Sequence, residues 1–271
     1  MKKIAALLII SGIMACQSEK KGNHTTDSTT ATSGLTDTLT FKYDSVKVYS
    51  KLLPANEKKS ADTSKASVRY PVFTNKGINT FVQTYALKTN GPDEPQYKSY
   101  KEMADGFIKG FDDYKKDNKE DQQAWFKQIE IRVLPQRKNY LPLEYTFIDY
   151  AGGAHPNSAV IFENYNTSSQ HRITLDSLID KANMPKLTKI AEKIFRKNEH
   201  LTSTQSLANS YFFEKNTFSL NHNFTVTDKG LKFLYNPYEI KAYAAGRTEL
   251  LIPFEDIKDI LKPNSILPAL K

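Results

Sequence analysis

Apolar and polar positions alternate along several stretches of this chain and recur at helical spacing along others. Phe41/Tyr43 and Val46/Val48 mark a strand over Phe41 to Tyr49, with a phase slip at Asp44-Ser45 that predicts a bulge. Ser67 to Phe73 is a second strand, and Pro71 marks it as an edge. Ile78, Phe81, Val82, Tyr85 and Ala86 share one face of a helix over Asn75 to Leu87, followed by a Gly/Pro loop from Thr89 to Gln96. Ser99 and Glu102 form a capping box ahead of a long helix carrying Met103, Phe107, Ile108, Phe111 and Tyr114. Its outer, Lys-rich face reads as a solvated surface. Trp125, Ile129, Ile131 and Val133 alternate, as do Leu143, Tyr145 and Phe147. The first half therefore reads β-β-α-α-β-β.

Strand-type runs at Leu143 to Tyr150 and Asn157 to Tyr165 flank the turn Ala151-Gly152-Gly153-Ala154-His155-Pro156. His171 to Leu175 adds a short strand, and Asp176 and Asn183 can begin helical turns. Leu187, Ile190, Ala191, Ile194 and Phe195 predict an amphipathic helix with Pro185 in its first turn. Leu201 to Lys215 reads as a polar connector with helical character. Phe218 to Val226 and Leu231 to Tyr235 alternate around Asp228-Lys229-Gly230, a hairpin signal. A loop through Tyr238, Tyr243 and Arg247 leads to a last strand, Glu249 to Phe254, and a short helix with Ile257, Ile260 and Leu261. Strands and helices cluster without strict βαβ alternation. The expected class is α+β, with antiparallel sheets, packed helices and two sub-domains, 41–136 and 137–271.

The first forty residues change the picture. Lys2 and Lys3 precede an apolar run, Ile4 to Ile13, which is too short for a bilayer span of roughly 20 residues and fits a secretory signal. Ile13-Met14-Ala15-Cys16 resembles a lipobox, so residues 1–15 read as a lipoprotein signal peptide and Cys16 as the lipidated residue. A lone thiol in an oxidising compartment would be a liability, which favours lipidation over plain secretion. Several acyl chains at Cys16 would hold the protein to a membrane, and Gln17 in place of Asp points to the outer membrane. Residues 16–40 are rich in Ser, Thr, Gly and Lys and read as a flexible tether.

The net charge is +8, yet the positive residues are dispersed, and the densest run, Lys109 to Lys127, is interleaved with acids. No nucleic-acid-binding pattern appears, so nucleic acid is not expected as a partner. The 15 Tyr and 15 Phe suit a β-rich core and aromatic recognition surfaces. Cys16 is the only cysteine, and His24, His155, His171, His200 and His222 show no metal-binding spacing. No metal and no cofactor is expected.

His155 is the candidate for chemistry. It reads as a general base oriented by Asp149, as a ligand contact, or as a turn-holder that donates to a backbone carbonyl. Asn157 and Asp149 read as turn acceptors or ligand contacts. Tyr238, Tyr243 and Arg247, with Tyr235, suit a sugar ring, a carboxylate or a protein cleft, or else form a core corner in which Arg247 pairs with Glu239 or Glu249. A carboxylate pair from Asp149 and Glu163 is a weaker alternative.

In order along the chain, Tyr150 to Asn157, Leu175-Asp176-Ser177-Leu178, Asn223-Phe224, Tyr235 to Ile240, Tyr243-Ala244-Ala245-Gly246 and Ile252-Pro253-Phe254 resemble the RsiV-like extracytoplasmic domain, a domain of unknown function. Residues 41–136 resemble its PdaC-type N-terminal companion. The resemblance implies a non-catalytic envelope module that binds cell-wall glycan or a lysozyme-type protein. It implies no catalytic residues, because the sigma-binding segment, the membrane span and the metal-dependent domain of these relatives are not seen here. A cell-wall hydrolase or deacetylase using His155, and a structural envelope protein without a discrete ligand, are the alternatives.

Overall fold

The computed structural model describes residues 38–52, 63–88, 95–263 and 265–267. The expected signal peptide, Cys16 and all but the end of the tether lie outside the described residues, as does most of the loop from Thr89.

Strands β1 (Phe41–Tyr49), β2 (Lys65–Phe73), β3 (Phe126–Val133), β4 (Tyr140–Tyr150), β5 (Asn157–Asn166) and β6 (His171–Arg172) form one sheet in chain order. Strands β7 (Phe224–Val226), β8 (Gly230–Tyr235) and β9 (Thr248–Pro253) form a second, antiparallel sheet. The helices are α1 (Lys76–Ala86), α2 (Tyr100–Asp117), α3 (Leu175–Leu178), α4 (Met184–Asn198) and α5 (Phe254–Ile257). The class is α+β, as the clustering of elements predicted. None of the described helices is long and apolar enough to cross a membrane.

One strand pair departs from the antiparallel pattern. β2 and β3 run parallel from Lys65↔Phe126 to Arg69↔Glu130. The connection between them is α1 and α2, a helical crossover that a parallel pair requires. β2 is consequently an inner strand and not the expected edge. It pairs with β1 over its whole length but with β3 only as far as Arg69, so Pro71 sits beyond that ladder and interrupts nothing there. The expected bulge is also absent: Asp44↔Tyr70 and Ser45↔Arg69 pair one to one. Tyr43 instead faces away from the helices, where the Arg69 guanidinium lies 3.6 Å from its ring centroid.

The amphipathic faces of α1 and α2 explain the first core. Ile78, Val82, Tyr100 and Met103 pack against Val68, Ile129, Ile131, Leu143 and Tyr145. Asn75 caps α1 through the Ile78 amide, and Asn79 bonds both the N–H and the carbonyl of Phe73, fixing the helix to β2. Ser99 caps α2 as predicted. Glu102, however, reaches back to the Lys98 amide (2.7 Å), one residue earlier than a capping box requires. The solvated face of α2 carries the pairs Lys101–Asp105 and Lys109–Asp113.

The second core joins α4, the second sheet and the chain end around Phe195 and Phe233. The stretch 201–215 forms no α-helix, and its helical character is confined to a 3-10 turn at Glu214–Asn216. Leu207, Tyr211 and Phe213 are buried in this core, and the rings of Tyr211, Phe213 and Phe218 lie 5.1–5.6 Å from that of Phe195. Its apolar residues lack helical spacing because they plug a core and do not line a helix face.

Side-chain amides join the two sheets. Between Val160 and Phe162 the outer edge of β5 has no strand partner among the described residues. Asn236 accepts from the Val160 amide (2.7 Å) and donates to its carbonyl (3.0 Å), and Asn223 accepts from the Phe162 amide (2.8 Å). The Tyr140 hydroxyl donates to Asn164 (2.6 Å) and accepts from the Val226 amide (2.9 Å). These groups close an otherwise orphaned strand edge. Asn236→Ala is expected to lower stability by about 2 kcal/mol, read by urea denaturation, because the Val160 amide loses its partner in a half-buried seam, while the Val160 carbonyl keeps its bond from Asn223 (2.8 Å).

Candidate functional site

The β4–β5 hairpin ends at the pair Asp149↔Asn157, and Ala151 to Pro156 form the turn. Gly152 and Gly153 have φ of 95° and 105°, the left-handed region that a side chain disfavours. Tyr150 braces the turn from below. Its hydroxyl shares one proton between the Gly153 carbonyl (2.9 Å) and the Gln123 amide oxygen (2.7 Å).

His155 meets the loop from the second sheet. Its ring stacks on Tyr243 at 3.8 Å between centroids and 15° between planes. Nδ1 lies 3.1 Å from the Pro156 carbonyl, which only accepts, so Nδ1 carries a proton. In the neutral ring Nε2 is then the acceptor for the Tyr238 hydroxyl at 3.1 Å. The Tyr243 hydroxyl donates to the same Pro156 carbonyl (3.1 Å). His155 is thus the turn-holder that donates to a backbone carbonyl, and both of its nitrogens are engaged.

Asp149 does not orient His155. It faces Asn157 (3.4 Å) and Lys127 (4.0 Å) at the foot of the hairpin. The general-base dyad is therefore not formed. Arg247 is exposed and has no ion-pair partner among the described residues. Glu239 is taken by Asn221 and the Asn236 amide, and Glu249 by Lys232. Tyr235 belongs to the second core, fully buried, with its hydroxyl on the Ser219 carbonyl (2.8 Å). Of the sequence-predicted set, the structure brings His155, Tyr238 and Tyr243 into one cluster and pairs Asp149 with Asn157. Arg247 joins neither group. Sequence reasoning missed Gln123 and Lys127, which reach the hairpin from the β3 side; no local signal marks them, because their role comes from strand pairing.

Tyr238 is the unusual member. Asn236-Pro237-Tyr238-Glu239 closes a turn with the Glu239 amide on the Asn236 carbonyl (3.1 Å), and Tyr238 sits at φ 67°. Positive φ at that position, behind a proline, marks a type II turn, whose usual occupant is glycine. A tyrosine there costs roughly 1–2 kcal/mol of backbone strain, yet its ring is 58 % exposed. Strain of this kind at an exposed aromatic points to a role outside folding.

Glu163 does not face Asp149. Its ladder partner is Leu143, six residues from Asp149 along β4, which is roughly 20 Å. The carboxylate-pair alternative fails on that distance. Glu163 is instead buried at 6 % exposure against α1. Arg172 Nε lies 2.7 Å from Oε2 in a charge contact whose angles make no hydrogen bond, so Oε2 is left without one. Burial outweighs Arg172 and Lys88 and lifts the carboxyl from its ordinary 4.5 to about 7. The same burial, with Glu163, pushes the Tyr85 hydroxyl up to about 12. Among the described residues no group of three or more His, Cys, Asp and Glu side chains is placed to hold a metal ion.

Comparison with known proteins divides the chain. Residues 57–158 match the family described as deacetylase PdaC, and residues 176–255 match DUF3298, described as a protein of unknown function. The turn and His155 fall in the first match, Tyr238 and Tyr243 in the second, so the aromatic cluster is built from both. Against the peptidoglycan-N-acetylmuramic acid deacetylase PdaC of Bacillus subtilis (strain 168), the chain is 23 % identical over 207 residues. That alignment covers 74 % of this chain but only 39 % of the relative. A crystal structure of a DUF3298 family member from Bacteroides fragilis superposes with a TM-score of 0.69 at 23 % identity, covering 87 % of this chain and 99 % of that one. A DUF3298 protein from Pseudomonas aeruginosa PAO1 gives a TM-score of 0.67 at 17 % identity, covering 85 % and 98 %. The chain thus carries a PdaC-type segment followed by a DUF3298-type segment, on a fold that solved DUF3298 proteins share.

Proposed function

We propose that this protein is an envelope lipoprotein, anchored in the outer membrane through Cys16, whose globular part recognises cell-wall glycan without cleaving it. The match of residues 57–158 to PdaC and the similarity to a peptidoglycan deacetylase support an extracytoplasmic, cell-wall setting. The observation that carries the binding role is Tyr238, exposed at positive φ beside His155 and Tyr243. A tyrosine face suits a sugar ring, and a rigid turn presents it with little ordering cost. A lysozyme-type protein is the second reading, favoured by exposed Arg247 near the start of β9, since Tyr and Arg are the usual anchors of protein interfaces.

Tyr238→Gly separates folding from recognition. Glycine relieves the strained φ, so the variant is expected to hold its melting temperature within a few degrees, or to gain. Co-sedimentation with purified sacculi is expected to drop at least tenfold. A gel-filtration shift with lysozyme, lost in Arg247→Ala, would move the assignment to the protein partner. Release of acetate or soluble fragments from sacculi, abolished in His155→Ala, would replace recognition by cleavage. Wild-type protein that binds neither sacculi nor lysozyme would sink the reading.

A further inference from the structure

A cleft of about 300 Å³ opens between β1, β2, α1 and α2, and no residue of the glycine turn or the tyrosine loop lines it. One wall is aromatic: the rings of Tyr70 and Tyr100 lie 4.3 Å apart, tilted by 38°, with Pro71 and Val72 beside them. Val72 is 39 % exposed, which is high for a strand valine next to a core.

The polar lining is sparse and specific. Asp44 accepts from the Tyr70 hydroxyl (3.2 Å) and the Ser45 amide (2.7 Å), which leaves acceptor capacity on both oxygens. Gln83 uses its amino group on the Lys98 carbonyl (3.2 Å), and its oxygen has no partner among the described residues. Asn79 is committed to the Phe73 backbone and is structural. Tyr100 is only 6 % exposed, yet its hydroxyl has no hydrogen-bond partner among the described residues. The ring is buried but the hydroxyl is not among the enclosed polar atoms, so this unpartnered donor is open to a ligand oxygen.

Charge narrows the occupant. Among the described residues no Lys, Arg or His lines the cleft, and Asp44 contributes a negative charge. Phosphates and carboxylates are repelled. A purely apolar molecule would desolvate Asp44, Gln83 and Tyr100 without replacing their hydrogen bonds. The remaining chemistry is a neutral ring with an apolar face and hydroxyls on its edge. The volume lies at the lower end of the range for ligand sites, roughly 300–1,000 Å³, and admits one ring and not a polymer.

We propose that this cleft binds a single neutral pyranose-type sugar ring, stacked on the Tyr70/Tyr100 wall and hydrogen-bonded by Asp44, Gln83 and Tyr100. This site is separate from the hairpin cluster and does not depend on its reading.

The test is an amide NMR titration of the 41–271 region within the full chain, with N-acetylglucosamine, glucose and glucuronate as probes. Neutral sugars are expected to shift amides around Tyr70, Gln83 and Tyr100 with millimolar Kd, and glucuronate to bind at least tenfold more weakly. Tyr100→Phe keeps the ring and is expected to weaken neutral-sugar binding several-fold. Asp44→Asn, on the surface, is expected to narrow the glucuronate gap while preserving the fold. The proposal is overturned if neutral sugars leave the cleft amides unmoved, or if glucuronate binds as well as glucose. Shifts confined to Gly152, His155 and Tyr238 would also overturn it, while leaving the hairpin site standing.

Discussion

Between about pH 4.5 and pH 7 this protein is expected to lose roughly 3 kcal/mol of stability that the Glu163→Gln variant does not lose. The cause is the buried carboxyl on β5. In the unfolded chain Glu163 releases its proton near 4.5, whereas in the folded protein it holds it to about 7. Over that window the native state binds more protons than the unfolded state, so stability falls as pH rises and levels off above 7. The groups around it pull in opposite directions. Tyr85 of α1 and Tyr145 of β4 crowd it with rings, while Arg172 of β6 and Lys88 after α1 favour its charge. Urea titrations of both proteins at a series of pH values give the difference directly. Arg172→Met is expected to push the falling limb to higher pH, because it removes the nearer cation. A wild-type-minus-variant difference that does not change with pH would show that Glu163 ionises normally.

Gly230→Ala is the second large effect, on the order of 3 kcal/mol or more against folding. Gly230 opens β8 opposite Pro253 of β9. A Cβ at this position would lie 2.0 Å from the Ile252 carbonyl oxygen and 2.9 Å from the Pro253 Cα, both backbone atoms that cannot swing aside. Relief would require β8 and β9 to part, and that strand pair carries Leu231, Phe233, Leu250 and Ile252 of the second core. The turn itself resists adjustment. Thr227 accepts from the amides of Lys229 (3.2 Å) and Gly230 (3.1 Å), and the Phe254 amide bonds the Lys229 carbonyl (3.1 Å), tying the turn to α5. Gly110→Ala is the control. That glycine sits within α2, and beyond its chain neighbours and its own helix backbone no atom of the described residues lies within 4 Å of the added Cβ, so alanine should stabilise the helix by about 0.5–1 kcal/mol. Equal effects at the two positions would refute the steric account.

Much of the fold was legible because the responsible patterns are local. The 3.6-residue repeats at Ile78/Val82 and Leu187/Ala191/Phe195 produce helices, the first within a residue of its expected limits and the second with Pro185 in its first turn, and Ser99 caps α2. A strand-type run marks the place of each of the nine described strands, and the Gly-Gly turn falls between β4 and β5 as its flanks indicate. The misreadings share a different cause. Pro71 was read as an edge marker, but whether a strand has a neighbour depends on where α1 and α2 return the chain. The slip at Asp44-Ser45 reads as a bulge, but β1 pairs with β2 one to one there and Tyr43 faces outward beside the Arg69 guanidinium. The apolar residues of 201–215 lack a period, and only the finished core explains Leu207, Tyr211 and Phe213.

The candidate site divides along the same line. The residue types of the turn and the tyrosine loop were visible as motifs, since glycine pairs, prolines and aromatics announce rigid, exposed geometry wherever they stand. Composition and order in the chain by themselves determined an α+β protein of strands and amphipathic helices with a glycine-proline turn and a tyrosine-rich loop. Tertiary structure alone decided that His155 stacks on Tyr243, that Asp149 turns to Asn157 and Lys127, that Glu163 is buried beside Arg172, and that Asn223 and Asn236 close the edge of β5. The physical reason is sequence separation. Backbone propensity and hydrophobic period act over a few residues, whereas each of these contacts, the short-range pairs Asp149–Asn157 and Glu163–Arg172 apart, joins groups brought together only when the sheets form and pack.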